Sequence, residues 1–390
     1  ISACLVGSEM CIRDSGVTVK IEVAIKRKSD NYDWTGSSWT VGTPSSVLWS
    51  TGSVVGTTWI YNRLPSDWGT VGSSYTVRSK ATSDLGVEEV PGTPPNTVIT
   101  WIFDNQEPSS QVTLPNKAYV NSLTMITGTA YDAHAGIDSV DIQLRTGTSY
   151  YNFITKQWGT EVVWSTTTWL GPPDNYWFIN IPGNIWTSGW TYSIRSRAKD
   201  KAITPNYEGA GFGNDWFNFI YDITPPDTLI TMPQYQYHNV MNTINGTASD
   251  PLPGQVKETE LRVWSYQHTR YWNNTVKDWT YEESQAEQAW FVSQSTVSDA
   301  TIWFSTAIPE NKWVNGGWHR IEAKAKDVAG NYDLEYSTKE FMFDNSAPVM
   351  LVQFPLQNTF RNTLTLISGT SYDLPTSPSN SGLGSRYVAI

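Results

Sequence analysis

The sequence has little charge, few histidines and almost no cysteine. Only 16% of its 390 residues are charged, and the formal net charge is −11. An acidic chain poor in lysine and arginine repels a polyphosphate backbone, so we expect no nucleic-acid partner. The four histidines do not fall at ligand spacings on a shared element, which argues against a zinc enzyme. No apolar run approaches eighteen residues, so we expect no membrane span in this sequence.

Both cysteines lie in a stretch that does not resemble native protein. Residues 5–15, LVGSEMCIRDS, resemble the translation of a common transposase sequencing adapter, and residues 1–15 are therefore interpreted as an adapter artefact. The alternative is a native start or a signal remnant, but the stretch lacks the apolar core of a signal peptide. Without Cys4 and Cys11 the chain has no cysteine, which excludes disulfides, thiolate chemistry and cysteine-based metal sites.

What the sequence has in abundance is aromatic residues and internal repeats. It contains 20 Trp and 20 Tyr. Three related phrases, FDNQEPSSQVTLP, YDITPPDTLITMP and FDNSAPVMLVQFP, place aspartates 118 and 122 residues apart, at Asp104, Asp222 and Asp344. The phrases TGTAYD, NGTASD and SGTSYD follow about twenty residues later and align Gly128, Gly246 and Gly369. The length of the chain and a period of about 120 residues predict several consecutive repeats of one unit.

Strict alternation of side chains predicts β-strands in these repeats. Tyr192, Ile194, Ser196 and Ala198 alternate with polar residues, and His319, Ile321, Ala323 and Ala325 do the same. A helix would scatter these sets around its axis, whereas a strand places each set on one face. Clusters of Gly, Pro, Asn and Asp interrupt the rest of the sequence. All-β units of this length with frequent turns are typical of two-sheet sandwiches.

The repeated motifs resemble those of bacterial immunoglobulin-like repeats of large secreted and surface proteins. The matching features are the Asp-x-x-x-Pro joint, the Gly-Thr-Ala-x-Asp strand end, the Tyr-x-Ile/Val-x-x-x-Ala-x-Asp strand and the AGN turn after Asp327. The resemblance covers the chain from Gly16 onward and implies an all-β fold of tandem Ig-like β-sandwich repeats. Members of that family serve as spacers, adhesin stalks and accessory modules, so the resemblance implies no substrate.

The phase of the motifs predicts where each repeat begins and ends. Repeat 1 is expected at residues 16–104 without its opening strands, repeat 2 at 105–222, repeat 3 at 223–344, and repeat 4 at 345–390 with opening strands only. Both terminal repeats are interpreted as parts of a longer parent protein. Other domains of that parent are therefore expected partners.

Most tryptophans recur by position, and two interpretations of them remain open. Five aromatic hairpin positions are candidates for stacking on sugar rings: Trp34, Trp39, Trp158, Trp272 and Trp279. If these rings point outward together, they form an apolar patch suited to polysaccharide or a cell-surface glycan. The alternative is that they pack the inter-sheet cores and form cross-strand pairs. The sequence does not decide between these interpretations.

Recurrent carboxylates at joints and strand ends are candidate ligands for Ca²⁺. The candidates are Asp104, Asp222, Asp344, Asp132, Asp250 and Asp327, and Asp200 and Asp373 also lie at strand ends. Hard oxygen donors gathered at a domain junction are what Ca²⁺ requires, since it takes six to eight oxygens. The alternative is that each Asp caps a turn by accepting backbone N–H groups. Calcium at the joints is the one cofactor that the sequence suggests.

No catalytic constellation is present in the sequence. It contains no nucleophile elbow, zinc-protease motif, phosphate loop or dinucleotide fingerprint, and its recurrent aspartates occur in successive repeats. We therefore expect a non-catalytic stalk, spacer or adhesive segment of a bacterial secreted or cell-surface protein, located outside the cell. The alternative function is a glycan-binding or accessory module of an extracellular carbohydrate-active enzyme.

Overall fold

The fold is described from a computed structural model, which covers residues 20–43, 47–55, 58–83, 86–89, 98–209, 215–295, 301–376, 380–385 and 387. Within these residues the regular structure consists of β-strands and two short 3-10 helices. The predicted all-β fold class of tandem Ig-like sandwiches is confirmed. The adapter-like residues 1–15 lie outside the described residues.

The first group of strands forms one main sheet. Its strands are β1 (Lys20–Arg27), β2 (Tyr32–Trp34), β3 (Trp39–Val41), β4 (Ser50–Thr51), β5 (Ser53–Val55), β6 (Thr58–Ile60), β7 (Ser74–Thr82) and β8 (Ile99–Ile102). The sheet order is β3-β2-β1-β7-β8, with β4 paired to β1, and β5 and β6 form a separate hairpin.

The second group of strands forms two sheets. Its strands are β9 (Ser109–Leu114), β10 (Tyr119–Val120), β11 (Met125–Tyr131), β12 (Ile137–Thr146), β13 (Ser149–Asn152), β14 (Gln157–Gly159), β15 (Ser165–Thr166), β16 (Thr168–Leu170), β17 (Tyr176–Asn180), β18 (Trp190–Asp200) and β19 (Phe217–Tyr221). One sheet has the order β10-β19-β18-β12-β13-β14 with β15 on β12, and the other has the order β16-β17-β11-β9.

The third group repeats this arrangement, and a final hairpin follows it. The strands are β20 (Asp227–Met232), β21 (Tyr237–His238), β22 (Ile244–Ser249), β23 (Val256–Ser265), β24 (Arg270–Asn273), β25 (Asp278–Tyr281), β26 (Phe291–Val292), β27 (Gln294–Ser295), β28 (Ile302–Ser305), β29 (Gly317–Asp327), β30 (Ser337–Phe343), β31 (Val349–Phe354) and β32 (Ser368–Tyr372). The 3-10 helices span Glu283–Ala289 and Glu310–Lys312. The sheet orders are β21-β30-β29-β23-β24-β25 with β26 on β23, and β20-β22-β28-β27.

By the distances between Cα atoms, the chain divides into two compact units. One contains the described residues up to Leu114 together with Met125–Asn180 and Ile194–Phe217. The other contains Pro115–Thr124, Ile181–Ser193 and the described residues from Asn218 onward. This division differs from the predicted repeat boundaries, which stay a prediction, although the strand order of the second group recurs in the third.

The predicted alternation appears in the long strands that precede the acidic joints. In β18 every second residue from Tyr192 to Asp200 is buried, and in β29 the same holds from Gly317 to Asp327. The inward residues of β29 join a core that also contains Trp303 of β28 and Ile244 of β22. That core therefore lies between the two sheets of the third group, as in a β-sandwich.

The recurrent glycine of the Gly-Thr-Ala motif makes room for a buried indole. Gly128 in β11 lies opposite Trp177, and Gly246 in β22 lies opposite Trp303. Both indoles are fully buried. A Cβ on Gly246 would lie 2.3 Å from Cζ2 of Trp303 and 2.2 Å from the carbonyl oxygen of Leu229. These strands therefore need a residue without a side chain at this position.

Each of the three groups of strands also has an edge-to-face aromatic pair near the start of its long strand. The ring centroids are 5.2 Å apart for Trp68 and Tyr75, and 4.8 Å apart for Trp186 and Tyr192. In the third group, an imidazole replaces the phenol at the corresponding position, and the centroids of Trp313 and His319 are 4.9 Å apart. The recurrence of this contact explains why the tryptophans recur in the sequence.

Candidate functional site: two acidic clusters and the aromatic hairpins

Three of the five candidate sugar-stacking tryptophans lie in cores. Trp272 is fully buried, and Trp34 and Trp279 are each 7% exposed. Trp272 faces Trp279 across the hairpin of β24 and β25, with ring centroids 5.3 Å apart. The prediction of exposed platforms is therefore wrong for these three, because a buried ring offers no face to a sugar.

The other two candidate tryptophans are half-buried. Trp39 pairs with Trp34 at a centroid distance of 5.3 Å, and the Arg27 guanidinium carbon lies 4.8 Å from its ring centroid. Trp158 packs against Tyr151 at a centroid distance of 5.1 Å. Sugar stacking on Trp39 and Trp158 stays a prediction, and most of the contacts described for them are those of cross-strand pairs.

The recurrent aspartates come together as two clusters of three. Cluster A consists of Asp104, Asp132 and Asp200, and cluster B consists of Asp222, Asp250 and Asp327. Within each cluster, one carboxylate oxygen from each residue lies within 4.8 Å of the others. Asp200 was predicted to lie at a strand end but was not among the predicted metal ligands. The Ala-x-Asp motif that it shares with Asp327 was the signal that could have added it.

In cluster A most carboxylate oxygens accept backbone hydrogen bonds. Oδ2 of Asp104 accepts from the Ala135 N–H at 2.8 Å, and Oδ1 of Asp132 accepts from the Gly136 N–H at 2.7 Å. Oδ1 of Asp200 accepts from the Asn206 N–H at 2.9 Å. Oδ2 of Asp132 is buried and has no hydrogen-bond partner. Turn capping therefore accounts for much of this cluster but leaves one buried oxygen unpaired.

In cluster B, fewer carboxylate oxygens accept hydrogen bonds than in cluster A. Asp327 is fully buried, and its Oδ1 accepts from the N–H groups of Gly330 and Asn331 at 2.5 and 2.7 Å. Asp222 is 1% exposed, and its Oδ2 has no partner. Neither carboxylate oxygen of Asp250 makes a hydrogen bond, and both are buried. Three buried oxygens of this cluster are thus unpaired, which is costly when the groups are ionised.

The charges in cluster B repel one another. Burial, together with the neighbouring carboxylates of Asp222 and Asp327, raises the pKa of the Asp250 carboxyl to about 6. The Gln255 N–H lies near enough to oppose this rise in pKa but does not make a hydrogen bond of normal geometry. Among the described residues, no lysine or arginine forms an ion pair with any aspartate of either cluster.

An asparagine connects each cluster to the joint that precedes it. Nδ2 of Asn331 donates to the backbone oxygen of Asp222 at 2.8 Å and to Oδ2 of Asp327 at 2.7 Å. In cluster A, Nδ2 of Asn206 donates to the backbone oxygen of Asp104 at 3.4 Å and to Oδ2 of Asp200 at 2.7 Å. Neither asparagine was predicted as a site residue, although the AGN turn after Asp327 contains Asn331. The shared order Asn-Tyr-acid at Asn206 and Asn331 could have revealed them.

The sixth metal candidate from the sequence, Asp344, lies outside both clusters. Its Oδ2 accepts from the Ser381 N–H at 2.7 Å, and Oδ2 of Asp373 accepts from the Ser381 hydroxyl at 3.2 Å. Asp344 and Ser381 therefore repeat the contact between Asp104 and Ala135. In the part of the chain that the structure describes, no third acidic residue joins this pair within the distance found in the clusters.

The contacts of Asn331 predict a destabilising Asn331→Asp substitution. The new carboxylate replaces two N–H donations with repulsion of Asp327 and of the Asp222 carbonyl oxygen, so we expect a loss of about 2 kcal/mol of unfolding free energy. Urea unfolding in chelator measures it. Asn274→Asp is the control, because Asn274 is only partly buried and its oxygen accepts from Nζ of Lys277 at 2.6 Å. An equal effect of both substitutions would contradict this role for Asn331.

The comparisons with known proteins reach structural likeness only. No protein-family model and no curated protein matches the sequence. Among solved structures, the FN1–FN3 domains of chicken CNTN1 are 13% identical with a TM-score of 0.31, covering 85% of this chain and 91% of that chain. The Escherichia coli adhesin FdeC is 10% identical with a TM-score of 0.30, covering 68% and 72%. Domains EC21–23 of human CDH23 are 12% identical with a TM-score of 0.18, covering 60% and 74%.

At these identities and TM-scores, the likenesses extend to no residue, ligand or activity. A separate finding concerns the membrane: among the described residues, no helix is long and apolar enough to cross one.

Proposed function

We propose that the chain is a non-catalytic array of tandem Ig-like repeats that serves as a stalk, spacer or adhesive segment of a bacterial secreted or cell-surface protein. The observation that carries this proposal is the recurrent bonding of the joints. A joint held on both sides limits the relative movement of consecutive repeats, which suits an array that holds other domains at a distance.

The joint at Asp222 illustrates this bonding. The Asp222 N–H donates to the backbone oxygen of Val120, which precedes it in the sequence, at 2.9 Å. Its backbone oxygen accepts from Asn331, whose own side-chain oxygen accepts from Nδ2 of Asn121 at 3.1 Å. The chain at this joint is therefore fixed by groups that precede it and by groups that follow it in sequence. A flexible Gly/Ser linker would lack such partners.

The recurrence of the acidic clusters supports a non-catalytic role. A hydrolase with two carboxylates needs an acid and a base in different environments. Clusters A and B instead repeat one arrangement in consecutive repeats. The proposed partners are other domains of the same parent protein, with polysaccharide or cell-surface glycan as the alternative.

Mechanical unfolding of the full chain tests the array. When the protein is pulled from its two ends by atomic force microscopy, we expect at least two unfolding events, each releasing about 40 nm of chain. This length follows from a period of 118 to 122 residues at about 3.4 Å per extended residue. Release of the whole length in a single event would contradict independent repeats.

Affinity electrophoresis tests the rival glycan-binding function. In native gels containing soluble polysaccharides, we expect the mobility of the chain to match that in gels without polysaccharide. The variants Trp39→Ala and Trp158→Ala address the two half-buried candidates. Retardation by one class of polysaccharide that either variant abolishes would favour the accessory-module function over the spacer.

A further inference from the structure

The geometry points to a Ca²⁺ site in cluster B, at the joint between repeats 2 and 3, with cluster A as a second site of the same design at the preceding joint. We propose that Asp222, Asp250 and Asp327 bind one Ca²⁺ through their carboxylate oxygens. This inference concerns cation binding and goes beyond the stalk function. It stands whether the array is a spacer or an adhesive segment.

The spacing of the oxygens fits a single calcium ion. Ca²⁺ binds oxygen at about 2.3–2.6 Å, so two oxygens on one ion are at most about 5 Å apart. The three carboxylate oxygens of cluster B lie within 4.8 Å of one another. The three carboxylates thus supply part of the six to eight oxygen ligands that Ca²⁺ takes in flexible geometry.

The unpaired oxygens are the second, independent observation. Asp222 is 99% buried, and its Oδ2 lacks any donor, although its Oδ1 accepts from the Thr224 N–H at 2.9 Å. The two oxygens of Asp250 are buried without a donor as well. Buried carboxylates are normally paired with a cation or with hydrogen-bond donors. A bound cation supplies what these three oxygens lack.

Turn capping, the competing explanation, does not account for Asp250. Asp327 caps the turn at Gly330 and Asn331, but Asp250 accepts no hydrogen bond. The backbone of Gly254 approaches this carboxylate so closely that a Cβ there would lie 2.3 Å from its Oδ2. The chain thus holds a carboxylate in a confined position where it makes no cap. A cation ligand is the role that fits this position.

The three proposed ligands lie at the ends of three different strands. Asp222 follows β19, Asp250 follows β22, and Asp327 ends β29. An ion bound to all three connects the exit of one repeat to the loops at the near end of the next. Calcium is therefore expected to make this joint more stable as well as to neutralise its charge.

The substitution Asp250→Asn tests the site because its expected effect on the melting temperature depends on calcium. Without calcium it removes one of three repelling charges and breaks no hydrogen bond, so the variant is expected to melt above the wild type in chelator. In millimolar calcium the wild type is expected to gain several degrees, while the variant loses the gain from cluster B. The measurement is thermal melting of the full chain, in calcium and in EGTA, at matched ionic strength. Asp174→Asn, in an exposed turn, is the matched control and is expected to respond to calcium as the wild type does.

Counting bound ions keeps the test decisive if melting transitions overlap. Equilibrium dialysis with Ca²⁺ is expected to show one ion fewer per chain for Asp250→Asn than for the wild type, and one fewer again when Asp132→Asn is added in cluster A. Replacing Ca²⁺ with Mg²⁺ at the same concentration is expected to give a smaller melting shift. Equal melting midpoints of the wild type in calcium and in chelator would overturn the proposal. An unchanged ion count in Asp250→Asn would overturn the assignment to cluster B.

Discussion

The substitution Gly246→Ala is expected to cost at least 3 kcal/mol of unfolding free energy, or about 10 °C in the melting temperature of its repeat. The new methyl would meet the Leu229 carbonyl oxygen on one side and the Trp303 indole on the other, at 2.2 and 2.3 Å. Neither neighbour can withdraw, because Leu229 is paired in β20 and Trp303 is fully buried. The substituted strand must therefore shift, and its pairing with β28 must weaken.

The control for this prediction is Gly159→Ala in β14. A Cβ at Gly159 meets no atom within 4 Å, and alanine is at least as favourable as glycine in a strand. We expect a change within about 0.5 kcal/mol there. Urea unfolding followed by tryptophan fluorescence measures both variants. If Gly246→Ala were as mild as Gly159→Ala, close packing of the indole would not explain the recurrent glycine.

In β18 and β29, the alternation of inward-facing residues with polar ones was enough to predict the long strands. The buried set of β29 and that of β18 are the ones that the period-two pattern selects, because one face of each strand packs into a core. The recurrent Trp177 and Trp303 are fully buried in the structure. Local periodicity carries this information because it reflects the pleat of a single strand.

The grouping of the aspartates required information that no single strand contains. Asp104, Asp132 and Asp200 are separated by 28 and 68 residues, and they meet only because β11 and β18 end at the same edge of the fold. Their spacing along the chain follows loop lengths rather than any helical or strand period. The direction of the hairpin tryptophans was likewise undecided, because a two-residue repeat places a ring on one face without indicating which face is covered.

The clusters also differ in the length of the loop that follows their second aspartate, although the sequence motif is shared. The Asp132 carboxylate is followed by Ile137, the first residue of β12, after five positions, whereas Asp250 is followed by Val256, the first residue of β23, after six. The extra residue in the Pro-containing loop of repeat 3 accompanies the loss of the hydrogen bond that Ala135 donates to Asp104. The corresponding oxygen of cluster B is therefore unpaired, and this makes cluster B the stronger candidate for a cation.

The second large effect is expected from pH, through the buried His319. This imidazole is fully buried in the position that Tyr75 and Tyr192 hold in the preceding repeats, and neither of its nitrogens makes a hydrogen bond. Burial among aromatic rings lowers the pKa of His319 to about 3, from an ordinary value of 6.5. The folded protein therefore keeps the imidazole neutral at pH values where the unfolded chain binds a proton.

The direction of the effect follows from this difference in proton binding. The contribution of the neutral imidazole to stability is complete above pH 6.5 and is lost as pH falls toward 3, by at most about 1.4 kcal/mol per pH unit. Between pH 7.5 and 5 we expect His319 to cost about 2 kcal/mol of unfolding free energy. The variant His319→Phe keeps the ring contacts with Trp313 and Phe341 and cannot bind a proton, so it is expected to escape this loss. The measurement is urea unfolding of both proteins across this pH range, and subtraction removes every group that they share, including His268. A difference in unfolding free energy that does not change with pH would show that the imidazole is not buried in its neutral form.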